Sequence, residues 1–166
     1  MIIYKNILEF ERGTFYKLLC ESYKELLERM PDYKNEYKNN WKKFDYNIFN
    51  NPNTIGKYVL VSVVNENPIG FVSWDPRRVP ESGEIGQNCI ISAYRGNGYG
   101  KLQIQKVLSI FQNESTKDAK VTTADHPFYD AAKKMYLSCG FKEAGTSYTE
   151  KYGGLKLIHY KYKFRQ

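Results

Sequence analysis

The sequence contains few cysteines, and their placement excludes several classes of protein. Only three of the 166 residues are cysteine, Cys20, Cys89 and Cys139, and they form no C-x-x-C pair. Three thiols leave one unpaired in any disulfide scheme, so we expect a reduced interior rather than a secreted disulfide scaffold. Of the two histidines, we interpret His126 as a residue near a helix cap and His159 as a strand residue, and no metal site is expected.

Long apolar runs are also absent. No stretch approaches the ~20 apolar residues that a membrane span needs, and residues 1–5 lack a charged region followed by an apolar run. A length of 166 residues suits one domain with a single core, which we place over residues 1–166. We therefore expect a soluble, cytoplasmic protein without a membrane partner, either a monomer or a homodimer.

The positive charge is not clustered in the way that nucleic-acid-binding proteins require. The net charge is +7 at pH 7, but the lysines are scattered among tyrosines and asparagines, as in residues 33–38. Solvated surface lysines explain most of this charge. Lysines interleaved with aromatic rings can also stack single-stranded bases, but neither an RNP-like nor a helix-turn-helix pattern is present. We therefore expect no nucleic-acid partner.

The most informative segment that the chain does contain is SAYRGNGYGK, residues 92–101. Three alternating glycines there follow an arginine, end an apolar strand-like run and precede an amphipathic helix. Glycine allows a positive φ, so several backbone N–H groups can turn toward one ligand. The first N–H groups of the helix point the same way. The segment therefore predicts a binding site for a phosphate-bearing ligand, with Arg95 and Lys101 close to the anion.

The glycine spacing separates this segment from two other phosphate-binding motifs. A P-loop has glycine where this chain has Arg95, and serine or threonine where it has Leu102. The dinucleotide fingerprint G-x-G-x-x-G fails because Lys101 lies three residues after Gly98. What fits is Arg-x-x-Gly-x-Gly, read as Arg95, Gly98 and Gly100. In this register the segment resembles the acetyl-CoA pyrophosphate loop of the GCN5-related N-acetyltransferase (GNAT) superfamily.

A second motif lies where that superfamily has one. AKKMYLSCGF, residues 132–141, resembles its Ala-x-x-Leu-Tyr-x-x-x-Gly-Phe helix. The residues also predict a helix without the family: Pro127 suits a first helical turn, and His126 or Asp125 can cap it. Gly140 is the expected C′ residue that ends this helix.

Hydrophobic periodicity and turn residues predict the other elements. The first half comprises an edge strand at 2–5, a helix from its cap Thr14 to Pro31, a helix from its cap Asp32 to about residue 50, and hairpin strands at 58–64 and 69–74 around a connection at 65–68. The second half comprises a strand at 83–91, the helix after the glycines, a strand at 119–124, the second-motif helix, and hairpin strands at 148–152 and 155–164.

The resulting order, β-α-α-β-β-β-α-β-α-β-β, is similar to the GNAT fold from end to end. The resemblance implies a three-layer α/β (α+β) fold with a mixed, mostly antiparallel sheet of about seven strands flanked by four helices. The strands at 83–91 and 119–124 should be parallel because a helix connects them.

The resemblance also implies a catalytic base and a catalytic acid. Glu84 lies eleven residues before Arg95, the offset of the glutamate base in the histone acetyltransferase branch. Gly86 shares its strand face and leaves space beside the carboxylate, whereas Cys89 faces the other way, which argues against a thiol nucleophile. Tyr136 matches the helix tyrosine that lies beside the sulfur and protonates the thiolate. The alternatives are a solvated strand glutamate and a packing tyrosine.

Cofactor contacts transfer from the family by position. The predicted cofactor-binding residues are Ile90, Ile91, Ser92, Arg95, Gly96, Asn97, Gly98, Tyr99, Gly100, Lys101 and Tyr129. The backbone near Ile90 would pair with pantetheine and hold the oxyanion. Ser92 stands where the family often has proline, and Tyr129 where it often has asparagine. The predicted acceptor-binding residues are Trp74, Asp75 and Asn88. For Trp74 and Asp75, a packed tryptophan and a turn aspartate are equally good interpretations.

The leading hypothesis is thus an N-acetyltransferase that moves the acetyl group from acetyl-CoA to a primary amine by direct attack in a ternary complex. Its acceptor would be a small-molecule or peptide amine, and no metal is expected. One alternative is a non-catalytic acyl-CoA-binding or sensing protein on the same fold. Single-strand nucleic-acid binding is a third and weaker hypothesis.

Overall fold

Seven β-strands and five α-helices build the protein, and the computed structural model describes all 166 residues. In chain order the elements are β1 (Ile2–Lys5), α1 (Thr14–Ser22), α2 (Lys24–Arg29), α3 (Lys34–Asn50), β2 (Val59–Val64), β3 (Asn67–Asp75), β4 (Ser82–Ile90), α4 (Tyr99–Asn113), β5 (Asp118–Ala124), α5 (Asp130–Ser138), β6 (Lys142–Thr149) and β7 (Leu155–Lys163). No helix is both long enough and apolar enough to cross a membrane. The chain forms two compact units, residues 1–73 with 87–99 and residues 74–86 with 100–166.

The first unit contains an antiparallel arrangement of strands. β1 pairs with β2, and β2 pairs with β3, both antiparallel. The Ser73 hydroxyl donates to the Gln87 carbonyl at 2.7 Å, and the Ile91 N–H donates to the Ile69 carbonyl at 2.8 Å. These two contacts run in opposite directions along the chain, so β3 and the end of β4 are antiparallel as well.

A tight turn joins β2 to β3. Asn65 and Glu66 have φ of 47° and 66°, which is the backbone of a two-residue type I′ hairpin turn. The predicted connection at 65–68 was too long, because Asn67 and Pro68 already belong to β3. The irregular pairing of β2 with β3 accommodates the proline, since the register shifts beside it.

The predicted helix from Thr14 to Pro31 is wrong in one respect, because it is two helices. α1 ends at Ser22 and α2 begins at Lys24, with Tyr23 between them at φ −107° and ψ 16°. The Tyr23 ring stacks on Trp41 with centroids 5.6 Å apart, and its hydroxyl donates to the Asn88 carbonyl at 3.2 Å. We infer that these tertiary contacts hold Tyr23 out of helical geometry despite the continuous apolar periodicity.

The predicted caps of these helices also differ from the structure. The buried Asp45 carboxylate on α3, rather than Thr14, accepts the N–H groups at the start of α1, from Gly13 at 2.8 Å and Phe15 at 2.9 Å. Asp32 lies in a 3₁₀ turn, and α3 begins after it without a side-chain cap. A cap supplied from a distant helix has no local sequence signal, which is why periodicity could not find it.

The second unit contains the start of β4, then β5, β7 and β6. β4 and β5 are parallel, with a register that runs from Ser82↔Asp118 to Glu84↔Lys120. β7 lies between β5 and β6 and is antiparallel to both. β4 contributes residues to both units. The strand order is β1-β2-β3-β4-β5-β7-β6. The predicted mixed, mostly antiparallel sheet of seven strands is confirmed, with five helices in place of four.

The sequence predicted the end of this unit less well than its middle. β6 begins at Lys142, six residues before the predicted start at Tyr148. Its residues are mostly exposed on both faces at the sheet edge, so they lack the alternation that identifies a half-buried strand. Only one of the two predicted ends of the α5 helix is confirmed. His126 Nδ1 accepts the Phe128 N–H at 3.1 Å, but this caps the 3₁₀ turn at 127–129, and α5 begins after that turn without a side-chain cap. Gly140, with φ 99°, follows the end of α5 as predicted.

Candidate active site

The glycine loop, residues 95–101, has the backbone that its sequence predicts. Gly96 and Gly98 have φ of 79° and 80°, and a Cβ at either position would meet no atom within 4 Å. The Asn97 side chain braces the loop by donating to the Tyr94 and Arg95 carbonyls at 3.2 and 3.3 Å. α4 begins at Tyr99, and the first turn of a helix leaves N–H groups without intrahelical acceptors. The open, left-handed glycines and the helix start fit an anionic ligand.

Arg95 performs a holding role that the motif did not predict. Its Nε donates to the Ile90 carbonyl at 3.0 Å, and its terminal nitrogen donates to the Ser22 carbonyl. Ser22 is the last residue of α1, where the helix dipole favours a cation. The guanidinium thus ties the glycine loop to β4 and α1, while its contact with a phosphate stays a prediction.

At the end of β4, backbone groups make the hydrogen bonds to neighbouring segments. The Ile91 N–H is bonded to β3, so alternation places the N–H and carbonyl of Ile90 on the side away from β3. The Ile90 carbonyl accepts Arg95, and the Asn88 carbonyl accepts the Tyr23 hydroxyl. Ser92 begins a 3₁₀ turn that leads into the glycine loop.

Six residues line a cleft of about 270 Å³, which we call the Glu84 cleft: Asp75, Arg77, Arg78, Ser82, Glu84 and Lys120. They come from the end of β3, the loop after it, the start of β4 and the start of β5. Sequence reasoning predicted two of them, Asp75 and Glu84. The other predicted acceptor and catalytic residues, Trp74, Asn88 and Tyr136, do not line this cleft.

Asp75 and Arg77 form a paired unit within the cleft. Arg77 Nη2 lies 2.6 Å from Asp75 Oδ2, and both the Arg77 Nε and the Arg77 backbone N–H donate to Asp75 Oδ1. The hydrogen bond from Arg77 lowers the pKa of Asp75, and Asp75 in turn raises the pKa of Arg77. Asp75 is therefore a turn aspartate whose charge is already balanced, so its attraction for an ammonium group is weaker than the sequence suggested.

The remaining charges of the cleft are unbalanced. Arg78 and Lys120 form no ion pair within the protein, and Glu84 is the one unpaired carboxylate that lines the cleft, although Asp118 also interacts with Lys120. Ser82 forms the floor of the cleft and is held in place by Asp118. The Asp118 carboxylate accepts the Ser82 hydroxyl at 2.6 Å and pairs with the Lys161 ammonium at 3.1 Å. After the Asp75 pair is set aside, the cleft presents two cations and one anion.

Tyr136 lies deeper than a freely accessible acid would. It is 4% exposed on α5, and its ring packs 6.0 Å from that of Phe141 and 5.9 Å from that of Tyr160. Tyr129 lies in the 3₁₀ turn before α5, half-buried with its ring 5.1 Å from Phe128. The position of Tyr136 agrees with its packing interpretation, and the roles of Tyr136 in catalysis and of Tyr129 in cofactor binding stay predictions.

Cys89 and Cys139 are unsuited to nucleophilic catalysis. Cys89 is buried, and burial raises the pKa of its thiol to about 12. Burial also raises the pKa of Cys139, although the nearby Lys101 opposes this shift. A thiolate is the reactive form, so neither group is activated at neutral pH. No three His, Cys, Asp or Glu side chains are grouped as a metal ion would require.

His159 makes contacts that the sequence did not reveal. Thr122 Oγ1 lies 2.8 Å from its Nδ1, and Ser147 Oγ lies 2.7 Å from its Nε2. The three residues belong to β5, β6 and β7, so the imidazole joins three adjacent strands. The strand assignment of His159 is confirmed, but these contacts depend on strand pairing over a long sequence separation and leave no local pattern.

Comparison with known families decides the affiliation of the chain. The model of the GNAT acetyltransferase family matches residues 14–141, which include both the glycine loop and the tyrosine helix. The chain belongs to the GNAT acetyltransferase family. It is therefore an acyltransferase, and the resemblance of its two motifs is confirmed. Among curated proteins no sequence matches significantly.

Solved structures extend the GNAT likeness over the whole chain at low identity. A GNAT-class protein from Desulfovibrio desulfuricans is 10% identical, with 98% of this chain and 99% of that chain covered and a TM-score of 0.76. The NatC complex bound to Gag peptide and CoA contains a chain that is 19% identical, with 99% of both chains covered and a TM-score of 0.67. A Bacillus anthracis protein classed as a streptothricin acetyltransferase, solved with acetyl coenzyme A, is 20% identical over 64% of this chain and 62% of that one, with a TM-score of 0.56. At these identities the likeness establishes the fold.

The cations of the Glu84 cleft are what sequence reasoning missed in this acetyltransferase. Lys120 becomes a neighbour of Glu84 only through the parallel register of β4 with β5. Arg77 and Arg78 offered the one available signal, because two consecutive arginines follow the turn after Asp75. A charge pair in a loop is usually solvated, so the signal was weak without the fold.

Proposed function

We propose that this protein transfers the acetyl group of acetyl-CoA directly to a primary amine, with both substrates bound at once. The observation that carries the proposal is the glycine loop, whose left-handed Gly96 and Gly98 lead into the start of α4 in a chain of the GNAT family. Acetyl-CoA supplies an activated acetyl thioester. The protein needs to hold it, to accept a proton from the amine and to donate a proton to the departing thiolate.

The glycine loop would hold the pyrophosphate. The N–H groups of the loop and of the first turn of α4 are the expected donors, with Lys101 as the nearby cation. Bulky side chains are absent at Gly96 and Gly98, so an anion can approach the backbone closely. The outward N–H of Ile90 at the end of β4 is the proposed donor to the acetyl oxygen.

Glu84 would be the general base. A lysine-like ammonium has a pKa near ~10.4, so freeing its lone pair at pH 7 costs about 4.6 kcal/mol without help. Glu84 is exposed and lines a cleft that can admit a small amine. The carboxylate takes the amine proton, directly or through a water, as the new C–N bond forms.

Tyr136 would return a proton to the departing thiolate as the C–S bond breaks. Tyr136→Phe keeps the ring that packs on Phe141 and Tyr160 but removes the hydroxyl. We expect kcat to fall by about 10²-fold. Tyr160→Phe is the matched control, because it removes a hydroxyl from the same ring cluster. Equal kcat values for wild type and Tyr136→Phe would leave Tyr136 a packing residue.

The first experiment is a thermal-shift titration with acetyl-CoA, with ATP and NAD as controls. Ligand at 100 times its Kd adds ~2.7 kcal/mol to stability, which is about 5 to 11 °C for a domain of this size. A shift specific to acetyl-CoA, followed by thiol release with at least one amine of a broad panel, would support the proposal. A shift without turnover would favour the non-catalytic acyl-CoA-binding alternative, and no shift would contradict both.

A further inference from the structure

The Glu84 cleft carries information about the acceptor. We propose that the acceptor is a small amine that also bears an acidic group, a carboxylate or a phosphate, and that Arg78 and Lys120 bind this group. The inference rests on the proposed function, because Glu84 serves as the base in both.

The charge of the cleft is the first argument. Arg77 is engaged by Asp75 at 2.6 Å, whereas Arg78 and Lys120 have no ion-pair partner within the protein. Glu84 can balance one of the two, and Asp118, which also interacts with Lys120, is already paired with Lys161 at 3.1 Å. A lone ammonium that approached Glu84 would therefore enter a cleft with a surplus positive charge, which disfavours it. An amine that brings its own anion balances the cleft.

The backbone that carries each cation is also held in position. Lys120 is the direct strand partner of Glu84 in the parallel register, so the two side chains rise from the same sheet face side by side. The backbone around Arg78 is fixed at both ends of its loop. The Arg78 carbonyl accepts the Ser82 N–H at 3.0 Å, and the Pro80 carbonyl accepts the Lys117 N–H at 2.8 Å. Such anchoring reduces the ordering cost of binding an anion.

The size of the cleft limits the acceptor. At about 270 Å³ it lies just below the range of ~300 to 1,000 Å³ that is usual for small-molecule sites. It suits an amino acid or an aminoalkyl phosphate and leaves little room for a bulky polycation. A polyamine or a lysine-rich segment would in addition be repelled by Arg78 and Lys120.

The test compares pairs of amines that differ in one acidic group. Acetyl transfer is measured by thiol release for an amino acid and its amide, and for phosphoethanolamine and ethanolamine. Each result is expressed as the ratio of kcat/KM for the acidic amine to that for its neutral partner. We expect a wild-type ratio of about tenfold or more in at least one pair once both are corrected to equal free amine.

Variants assign the ratio to residues. Arg78→Met and Lys120→Met should each lower the ratio by about tenfold, since one charge-assisted contact is lost. The loss should appear mainly in KM for the acidic amine, and kcat/KM for the partner amine without the acid should change much less. Lys120→Arg should restore the ratio. Lys134→Met removes an exposed cation of α5 and is the matched control, with an unchanged ratio.

Each contrary outcome has a distinct meaning. Acetylation of neutral amines or polyamines in preference to acidic ones would overturn the inference and leave the proposed function standing. Weaker acetyl-CoA binding in Arg78→Met and Lys120→Met, measured by titration without acceptor, would assign these cations to the cofactor and overturn the inference as well. Absence of turnover with any amine would remove the proposed function and the inference together.

Discussion

The two ends of strand β4 use different parts of the chain for their proposed tasks. At its start, Ser82 to Gly86, side chains matter: Glu84 lies in a cleft whose cations come from a loop and from β5. At its end, Gln87 to Ile90, the backbone matters: carbonyls accept Tyr23 and Arg95, and left-handed glycines follow. The charged groups of the first end come from distant segments, whereas the proposed cofactor contacts of the other end lie in one continuous segment, which α1 and Tyr23 brace.

This difference implies that acceptor chemistry and cofactor binding can be separated by mutation. Changes at the charged end should alter kcat or the KM of the acceptor. Changes at the backbone end should alter the affinity for acetyl-CoA. A variant at the charged end that changed only the affinity for acetyl-CoA, or a variant at the backbone end that changed only the KM of the acceptor, would contradict this separation.

The largest effect is expected for Glu84→Gln. Without the carboxylate the amine proton has no nearby acceptor, so kcat should fall by about 10²-fold or more while the Kd for acetyl-CoA stays constant. Raising the pH frees the amine and should partly rescue the variant. The measurement is a pH profile of kcat.

Glu81→Gln is the matched control for Glu84→Gln, because Glu81 is a nearby carboxylate paired with Lys117 outside the cleft. It should turn over like the wild type. If Glu84→Gln also did so, or if its defect did not shrink at high pH, another group would be the base.

The next effect belongs to the glycine loop, through Gly98→Val. A side chain at φ 80° is strained, by about 1 to 2 kcal/mol. The free loop can relax away from this geometry, but binding would have to restore it, so the Kd for acetyl-CoA should rise about 5- to 30-fold. Calorimetric titration measures this. Gly13→Val is the control, since Gly13 has φ 93° with open space around it and lies at the start of α1.

Both outcomes bear on why the sequence predicted one end of β4 better than the other. Glycine spacing encodes backbone geometry locally, so the sequence alone was enough to predict the positive φ of Gly96 and Gly98. The cleft depends on register, and nothing in a single sequence states that Glu84 and Lys120 are paired. The same reason explains the missed break at Tyr23, where contacts with Trp41 override helical periodicity.

A smaller effect distinguishes the two cations of the glycine loop. Arg95→Met loses hydrogen bonds to the Ser22 and Ile90 carbonyls, so the free energy of unfolding should fall by about 1 to 2 kcal/mol. Lys101→Met should leave stability unchanged and weaken acetyl-CoA binding instead. Denaturant unfolding and calorimetric titration of both variants measure this. Equal stability of Arg95→Met and wild type would contradict the holding role of Arg95.

The smallest effect is a difference between the two ends of β4 in how pH changes their contribution to the free energy of unfolding. Burial alone would raise the pKa of Asp118, but the Ser82 hydroxyl and the Lys161 ammonium outweigh it and lower that pKa. Its stabilising contribution is therefore complete above the unfolded pKa of ~3.9 and is lost as the pH falls through the lower folded value. Asp118→Asn should cost about 1 kcal/mol at pH 7, and the difference from wild type should vanish below that range.

Denaturant unfolding of Asp118→Asn between about pH 2.5 and 7, beside Arg95→Met, would check this last difference between the two ends. The bonds of Arg95 go to carbonyls, and neither a guanidinium nor a carbonyl titrates in this range. The cost of Arg95→Met should thus be the same at every pH, whereas the cost of Asp118→Asn should disappear in acid. A constant cost for Asp118→Asn would mean that shape rather than charge holds the floor of the Glu84 cleft, and the charged end of β4 would then resemble the backbone end.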